Sequence, residues 1–436
     1  MKQRRYWLLV VMTMLVAACA AKGGGPTATP SMIPQVASPS PTAIEATEPV
    51  LVPSPVSALS GGVEVWLSWD ATELQGLGSI IESFKQEYPG VTVSIAYYAS
   101  DRVRESLRQA VEAGGGPTLL LGPSMWGPDL LRAGLIHEVG DRVTPEIHAR
   151  IRPLAWGQAV YQGAILGLPL EMQGVVLYRN TWLVPEPAST LDELLATAQA
   201  LRQSGQGVGA SFDFGFLFSG SQLATCGGGI LDEAGELAFR REIGLCWLNL
   251  LYTLGAAGPT TINTNEDLTS FELASSAWLI DTTDQALKLS RALGENGLNI
   301  DPWPRHEAGG ASLIGYVWTE NIYLVASARE GDLEAAWAFA TYLTTPGAQL
   351  MLSDPSGAGH LPVVQAAGVE SPIQAQAIDT ISRGLPFPLM NDIEAVIDFL
   401  ERSVDLVIKQ GGDPVGALYQ AVRGVSRVLG LPLETP

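Results

Sequence analysis

Two short apolar runs, 165–170 and 175–178, flank a polar break at Glu171, Gln173 and Gly174. Runs this short, rich in β-branched residues and bounded by Gly and Pro, read as buried strands. A break between two such strands fits either a crossing between two α/β lobes or a bulge within one sheet. The crossing would set Glu171 and Gln173 at the mouth of a cleft, where small ligands bind.

The stretch 63–68 alternates Val63, Val65 and Leu67 on one face of a strand. Thr72, with Gln75 three residues on, has the pattern of a capping box, and Leu74, Leu77, Ile81, Phe84 and Tyr88 share a helical face that Pro89-Gly90 ends. A strand over 91–96, a helix over 101–113 and a strand over 118–121 follow. This alternation predicts a parallel, doubly wound beginning. Ligands in such sheets sit beyond the carboxyl ends of the strands, here Trp69-Asp70 and Ser124-Met125-Trp126.

Beyond the break, Thr190 with Glu193 starts another helix, and 212–218 is an aromatic loop or strand. Helices are expected over 240–254 and 266–274, with a strand over 277–280 that ends at Asp281-Thr-Thr-Asp284. The run 315–327 is a second crossing-like strand with Thr319, Glu320 and Asn321 in its middle. Helices at 332–343, 391–410 and 414–429 close the chain, the last with Asp413 as N-cap and Pro414 in its first turn.

Length and composition add constraints. At 436 residues two domains are the default. A net charge of −20 disfavours nucleic acid and anionic membrane as partners. At the N-terminus, Lys2, Arg4 and Arg5 precede an apolar run over 6–18, shorter than the roughly 20 residues of a membrane-spanning helix. The run ends in Val16-Ala-Ala-Cys19, which resembles a bacterial lipobox, so residues 1–18 read as a signal peptide and Cys19 as a lipidated first residue. Residues 19–60, rich in Pro, Thr and Ser, lack an apolar face and read as a tether. Extended, it would reach on the order of 120 Å at ~3.1 Å per residue. The remaining cysteines, Cys226 and Cys246, are open to two readings: a disulfide outside the cytoplasm, or two buried thiols.

Several chemistries are missing. The sequence holds no H-E-x-x-H, P-loop or G-x-S-x-G. His137, His148, His306 and His360 lack ligand spacing, so no metal site or cofactor is expected. Asp70, Glu171, Asp281, Asp284 and Glu320 are numerous enough for a glycosidase pair, but charged loop residues are usually just solvated.

The order of parts resembles the maltose-binding-protein-like solute-binding proteins of ABC importers. Signal, lipobox and tether are followed by Val63-Glu-Val-Trp-Leu-Ser-Trp-Asp70 and a helix ending Phe84-Lys-Gln-Glu-Tyr-Pro-Gly90. Gly116-Pro-Thr-Leu-Leu-Leu-Gly122, Leu130-Leu-Arg-Ala-Gly-Leu135, Gly167-Leu-Pro169 with Leu177-Tyr-Arg-Asn180, Glu334-Ala-Ala-Trp-Ala-Phe-Ala-Thr-Tyr-Leu343 and His360-Leu-Pro362 continue the resemblance over 62–429. It implies a two-lobed α/β fold of the type II periplasmic-binding-protein class, each lobe a mixed sheet flanked by helices. Residues 61–170 with 322–356 would form the first lobe, and 171–321 with 357–436 the second.

By position, the resemblance assigns ligand contact to Trp69, Asp70, Ser124, Met125, Trp126, Glu171, Gln173, Asp281, Thr282, Asp284 and Asn391. The second-lobe loop that often carries a stacking Trp has no aromatic here, so Phe216, Phe218 or Trp318 would substitute. Glu320 lies at the second crossing. Trp66, Trp247 and Trp337 read as packing instead. The resulting expectation is a monomeric, lipid-anchored extracytoplasmic protein, not an enzyme, that delivers a mono- or oligosaccharide to a membrane permease. Rivals are a polyamine or other cationic solute on the same fold, a surface carbohydrate-active enzyme, and a lobed sensor or adhesion domain.

Overall fold

A computed structural model describes residues 59–307 and 310–432. The signal peptide, Cys19 and nearly all of the tether lie outside the described residues.

The first strands behave as their alternation predicts. Strand β1 (Ser60–Leu67) pairs in parallel with β2 (Gly90–Tyr97) on one side and β3 (Leu119–Pro123) on the other. Helix α1 (Ala71–Glu87) and α2 (Val103–Glu112) supply the crossovers, and the short α3 (Gly127–Arg132) follows β3. Val65, Leu67, Leu77, Ile80 and Phe84 are fully or almost fully buried between sheet and α1.

The central element is β4 (Leu168–Asn180), buried along all but one of its residues. The end of the first apolar run and all of the second are therefore one continuous strand rather than two strands with a break. It pairs antiparallel with β5 (Tyr316–Leu324), Glu320 opposite Glu171 and Asn321 opposite Pro169, so Leu170 is an extra residue and the irregularity sits at Glu320/Asn321. A bulge of this kind bends the strand and increases its twist. The amino-terminal part of β4 thus lies beside the β1–β2–β3 half through β5. Its carboxyl-terminal part carries β6 (Trp278–Thr282) and, beyond it, the parallel strand Ala210–Asp213. Strand β7 (Leu361–Pro362) is a third segment at the same place, with Leu361 opposite Met172 and Pro362 opposite Glu171.

The second half packs its own core, with Phe212, Phe216, Trp247, Trp278 and Tyr316 buried among the helices α4 (Glu242–Gly255), α5 (Ile393–Ile408) and α6 (Pro414–Leu429). The cap of α6 is as expected: Asp413 accepts from the Gly416 N–H at 2.8 Å. The aromatic stretch 212–218 divides into the end of a strand and a helical turn, Phe216–Ser219. Cys226 and Cys246 form a disulfide with Cα atoms 5.9 Å apart, tying the end of the Gln222–Thr225 turn to α4. Arg179 on β4 and Asp301 form a buried ion pair at 2.8 Å, and the Arg179 guanidinium also donates to the Val184 carbonyl.

Candidate functional site

The loop after β1 is set by capping chemistry. Asp70, not Thr72, is the N-cap of α1: its carboxylate accepts from the Thr72 and Glu73 N–H groups at 2.7 and 2.9 Å. Glu73, not Gln75, closes the capping box on the Asp70 N–H. Asp wins because it is the extended residue just before the first turn, and its carboxylate reaches the N2 and N3 donors together. Asp70 therefore holds the helix while remaining exposed to solvent.

Three chain segments, the ones expected to cross between lobes, meet next to this cap. Glu171 comes from β4, Glu320 from β5 and His360 from the residue before β7, and all three are buried. His360 Nε2 lies 3.0 Å from Glu73 Oε1. Its Nδ1 lies 3.5 Å from Glu171 Oε2, close enough for charge attraction, but makes no hydrogen bond. The Trp69 ring stands edge-on to the imidazole, 4.7 Å between centroids. Burial raises Glu171 to a pKa of about 7, with His360 opposing the shift and Glu73 and Asp284 adding to it. Burial likewise raises Glu320 to about 8, reinforced by the neighbouring Glu171. Burial works to lower the His360 pKa, yet Glu171, Glu73 and Glu320 together hold it above its ordinary value.

On the far side of β5 most of the polar groups are bonded internally, although Asn391 Oδ1 is buried without a partner. Ser124 Oγ donates to Gln158 Oε1 at 2.9 Å, and Gln158 Nε2 donates to the Phe387 carbonyl at 3.0 Å. Asn321 donates to the Gln158 carbonyl, and its Oδ1 accepts from Thr319 Oγ1 at 2.7 Å. Met125 is half-buried and packs against both the first-half and second-half aromatic clusters. Asn391 Nδ2 donates to the Tyr161 hydroxyl at 3.3 Å. Next to it, Arg132 on α3 bridges Asp129 and Asp392, and Arg104 pairs with Glu394 on α5. This edge of the seam between the halves is shut.

The aromatic residues are placed differently from the expectation of open stacking faces. Trp126 is buried under the Arg104 guanidinium, 5.1 Å from the ring centroid, and lies against the backbone of Gly122. Trp318 is 5% exposed and Phe216 wholly buried, the latter against Tyr316 and Phe387. Phe216 is thus a core residue of the second half in this arrangement, because its strand end turns into a helical turn packed on α5. Phe218 is half-buried in the same core. Trp66, Trp247 and Trp337 pack as expected.

Across from Asp70, the end of β6 presents Asp281, Thr282 and Asp284. Asp281 is raised to about 7, chiefly by burial, although its carboxylate accepts from the Thr282 N–H at 2.7 Å. Asp284 is exposed. A cavity of about 350 Å³ joins the two sides, lined by Asp70, Glu73, Glu171 and His360 from one and Asp284 and Lys288 from the other. Gln173 is half-buried opposite Trp318 and hydrogen-bonds Glu171. A larger space of about 650 Å³ beside Trp303, Leu313 and Arg383 involves none of the crossing residues. The cavity over the crossings offers carboxylates that accept paired hydroxyl donors and an imidazole that donates. Among the described residues no group of His, Cys, Asp and Glu has the arrangement to hold a metal ion.

The structure thus places Asp70, Glu171 and Asp284 on one cavity, with Trp69 packed against His360 of its lining and Glu320 paired opposite Glu171. It leaves Ser124, Met125, Trp126 and Asn391 in the closed seam and Phe216 in the core. Two residues of the site, Glu73 and His360, escaped the sequence reading. The signal for His360 was its place in the His360-Leu-Pro362 turn.

A family model described as bacterial extracellular solute-binding protein matches residues 79–378. A maltotriose-binding protein of Pyrococcus abyssi is 29% identical over 135 residues, a match that covers 31% of this chain and only 29% of that protein's length. The maltose/maltodextrin-binding domain MalE of Bdellovibrio bacteriovorus, solved with maltotriose, superposes with a TM-score of 0.71 at 21% identity, covering 85% of this chain and 100% of that one. An ABC transporter solute-binding protein of Thermotoga lettingae, solved with α-D-tagatose, gives 0.72 at 20% identity, covering 85% and 100%. At these identities the structural matches establish the two-lobed α/β fold. Among the described residues no helix is long and apolar enough to cross a membrane.

Proposed function

We propose that this chain, which belongs to the bacterial extracellular solute-binding protein family, captures a mono- or oligosaccharide between its lobes and hands it to the permease of an ABC importer. The observation that carries the reading is the cavity over the crossings, where Asp70 and Glu171 face Asp284. A solute that bridges both sides binds the closed state more tightly than the open one, and that difference drives closure. The sugars seen in the matched structures support the ligand class. In this reading Trp69 supplies an apolar edge, Asp70, Glu171 and Asp284 accept hydroxyl donors, and no bond is broken, so the protein is a binder and not an enzyme. The lobes divide at 170/171 and 321/322, with a further crossing at 356/357.

The same reading takes residues 1–18 as a signal peptide, Cys19 as the lipid anchor and 19–60 as the tether. The folded body is then a monomer held outside the cytoplasmic membrane.

A second reading, a cationic solute such as a polyamine, is favoured by the four carboxylates that line the cavity, Asp70, Glu73, Glu171 and Asp284. One experiment separates the two. A ligand that binds only the native state raises the melting temperature. Maltotriose, tagatose and spermidine are screened this way, and hits are titrated calorimetrically at low salt and about 0.5 M. Sugar binding that is indifferent to salt supports the first reading; a spermidine response that salt abolishes overturns it.

A further inference from the structure

Each of the three crossings contributes one titratable side chain to a single buried cluster: Glu171, Glu320 and His360. Glu171 and Glu320 are direct partners in the β4–β5 pair, and His360 immediately precedes the β7 residues that pair with β4. In the lobe division proposed above these segments are the connections between the lobes, so a motion of one lobe against the other must bend them. The cluster and the hinge are therefore the same residues.

The cluster has an unmet bond. His360 is 96% buried, yet its Nδ1 has no hydrogen-bond partner and points toward Glu171 at 3.5 Å. Its other nitrogen is held by Glu73, whose second oxygen closes the cap of α1. The charged groups facing the imidazole are Glu73 and, beyond it, Asp70 from α1, Glu171 from β4, Glu320 from β5, and Asp284 across the cavity. The cations on that wall are engaged elsewhere: Lys288 pairs with Glu272, and Arg291 donates to the Pro355 carbonyl. Deprotonating the cluster leaves carboxylates of like charge on adjacent strands with little to offset them. Two like charges this close in a poorly solvated place oppose each other strongly. Opening the cleft admits water and relieves that repulsion.

We propose that solute capture is proton-linked: closing the cleft takes up protons onto the Glu171–Glu320–His360 cluster, so that capture strengthens as the medium becomes more acidic. This deepens, and rests on, the solute-binding reading. The proton acts as a co-ligand that binds the closed state better than the open one, and the linkage is reciprocal. One linked proton changes the affinity by up to about tenfold per pH unit.

The test titrates maltotriose calorimetrically at about pH 7 in phosphate and in Tris, whose ionisation heats differ widely. The expected result is an apparent enthalpy that differs between the buffers with the sign of proton uptake, and a Kd at least about threefold weaker at pH 8.5 than at pH 6. Glu320→Gln is expected to reduce both the proton count and the ratio of its own Kd values at the two pH values. Binding with equal enthalpy in both buffers overturns the linkage and leaves the sugar reading standing. Absence of any maltotriose binding excludes only maltotriose as the solute, and the linkage is then decided on the ligand-free protein. There, small-angle scattering is expected to show a larger radius of gyration at pH 8.5 than at pH 6, with the change reduced in Glu320→Gln. A radius that does not respond to pH overturns the proposal.

Discussion

Glu171 and Glu320 face each other across the antiparallel pair of the two long strands, next to a bulge at Leu170. Two carboxylates on neighbouring buried positions cannot both be charged cheaply. Burial raises both, to about 7 and about 8; Glu171 adds to the rise of Glu320, while Glu73 and Asp284 add to that of Glu171, which His360 partly opposes.

A pH dependence of stability follows. A carboxyl whose folded-state pKa is raised binds more protons folded than unfolded at intermediate pH, so stability falls as pH rises through that interval. Glu171, Glu320 and Asp281 all act this way. His360, also raised, adds stability that is present below its unfolded value and lost as pH rises through its folded one. The melting temperature of the ligand-free protein is expected to fall by several degrees between about pH 5 and pH 8.5, and Glu320→Gln to flatten the fall. Calorimetric scans across that range check it. A melting point that rises with pH would contradict the buried-acid cluster.

Asp70 carries two separable roles. As the N-cap of α1 its loss in Asp70→Ala costs about 0.5–2 kcal/mol of stability. Asp70→Asn retains the cap, because Asn is an equally good N-cap, but removes the charge over the cavity. Denaturant unfolding is expected to show a lower midpoint for the Ala variant only. Maltotriose titration is expected to show weaker binding in both.

The Arg179–Asp301 pair is buried on both sides, with side chains only 6% and 1% exposed. Removing one partner strands the other charge in the interior, which costs about 3–5 kcal/mol. Arg179→Met is expected to lower stability by that order in a urea melt. A variant as stable as the parent would mean that water or protonation relieves Asp301.

The Cys226–Cys246 bridge closes a loop of 20 residues in sequence separation. In the chain-entropy model such a loop is worth about 3 kcal/mol. Reduction under native conditions is expected to lower the melting temperature without unfolding the first half. Mass spectrometry of unreduced, alkylated protein checks the bond itself: two alkylated thiols would rule it out.

Cys19 tests the anchoring reading apart from the fold. Cys19→Ser is expected to move the protein from the membrane fraction to the soluble one. Circular dichroism and melting temperature are expected to stay the same.

Much of the architecture was legible along the chain. The alternation of Val63, Val65 and Leu67, the α1 face, and the Asp413-Pro414 start of α6 are local patterns, and local hydrogen bonding and burial decide them. The polar residues inside apolar runs marked the two long strands that pair at the bulge, because a buried strand seldom carries Glu without a reason. The same local rules also misled. Thr72 and Gln75 satisfied the capping pattern as written, but Asp70 and Glu73 satisfied it with better reach. What only the tertiary structure decided is which distant groups share a dielectric. His360 meets Glu73 across 287 positions of sequence and Glu171 across the β4–β7 pair, and nothing in their own neighbourhoods foretells it. The same holds for Trp126, an aromatic residue at an element end that Arg104 covers, and for Phe216, a candidate stacking residue that packs against Tyr316 and Phe387. Periodicity is a property of the chain and can be counted there. Burial and charge proximity belong to the packed arrangement, where the desolvation of a carboxylate depends on every segment that closes around it.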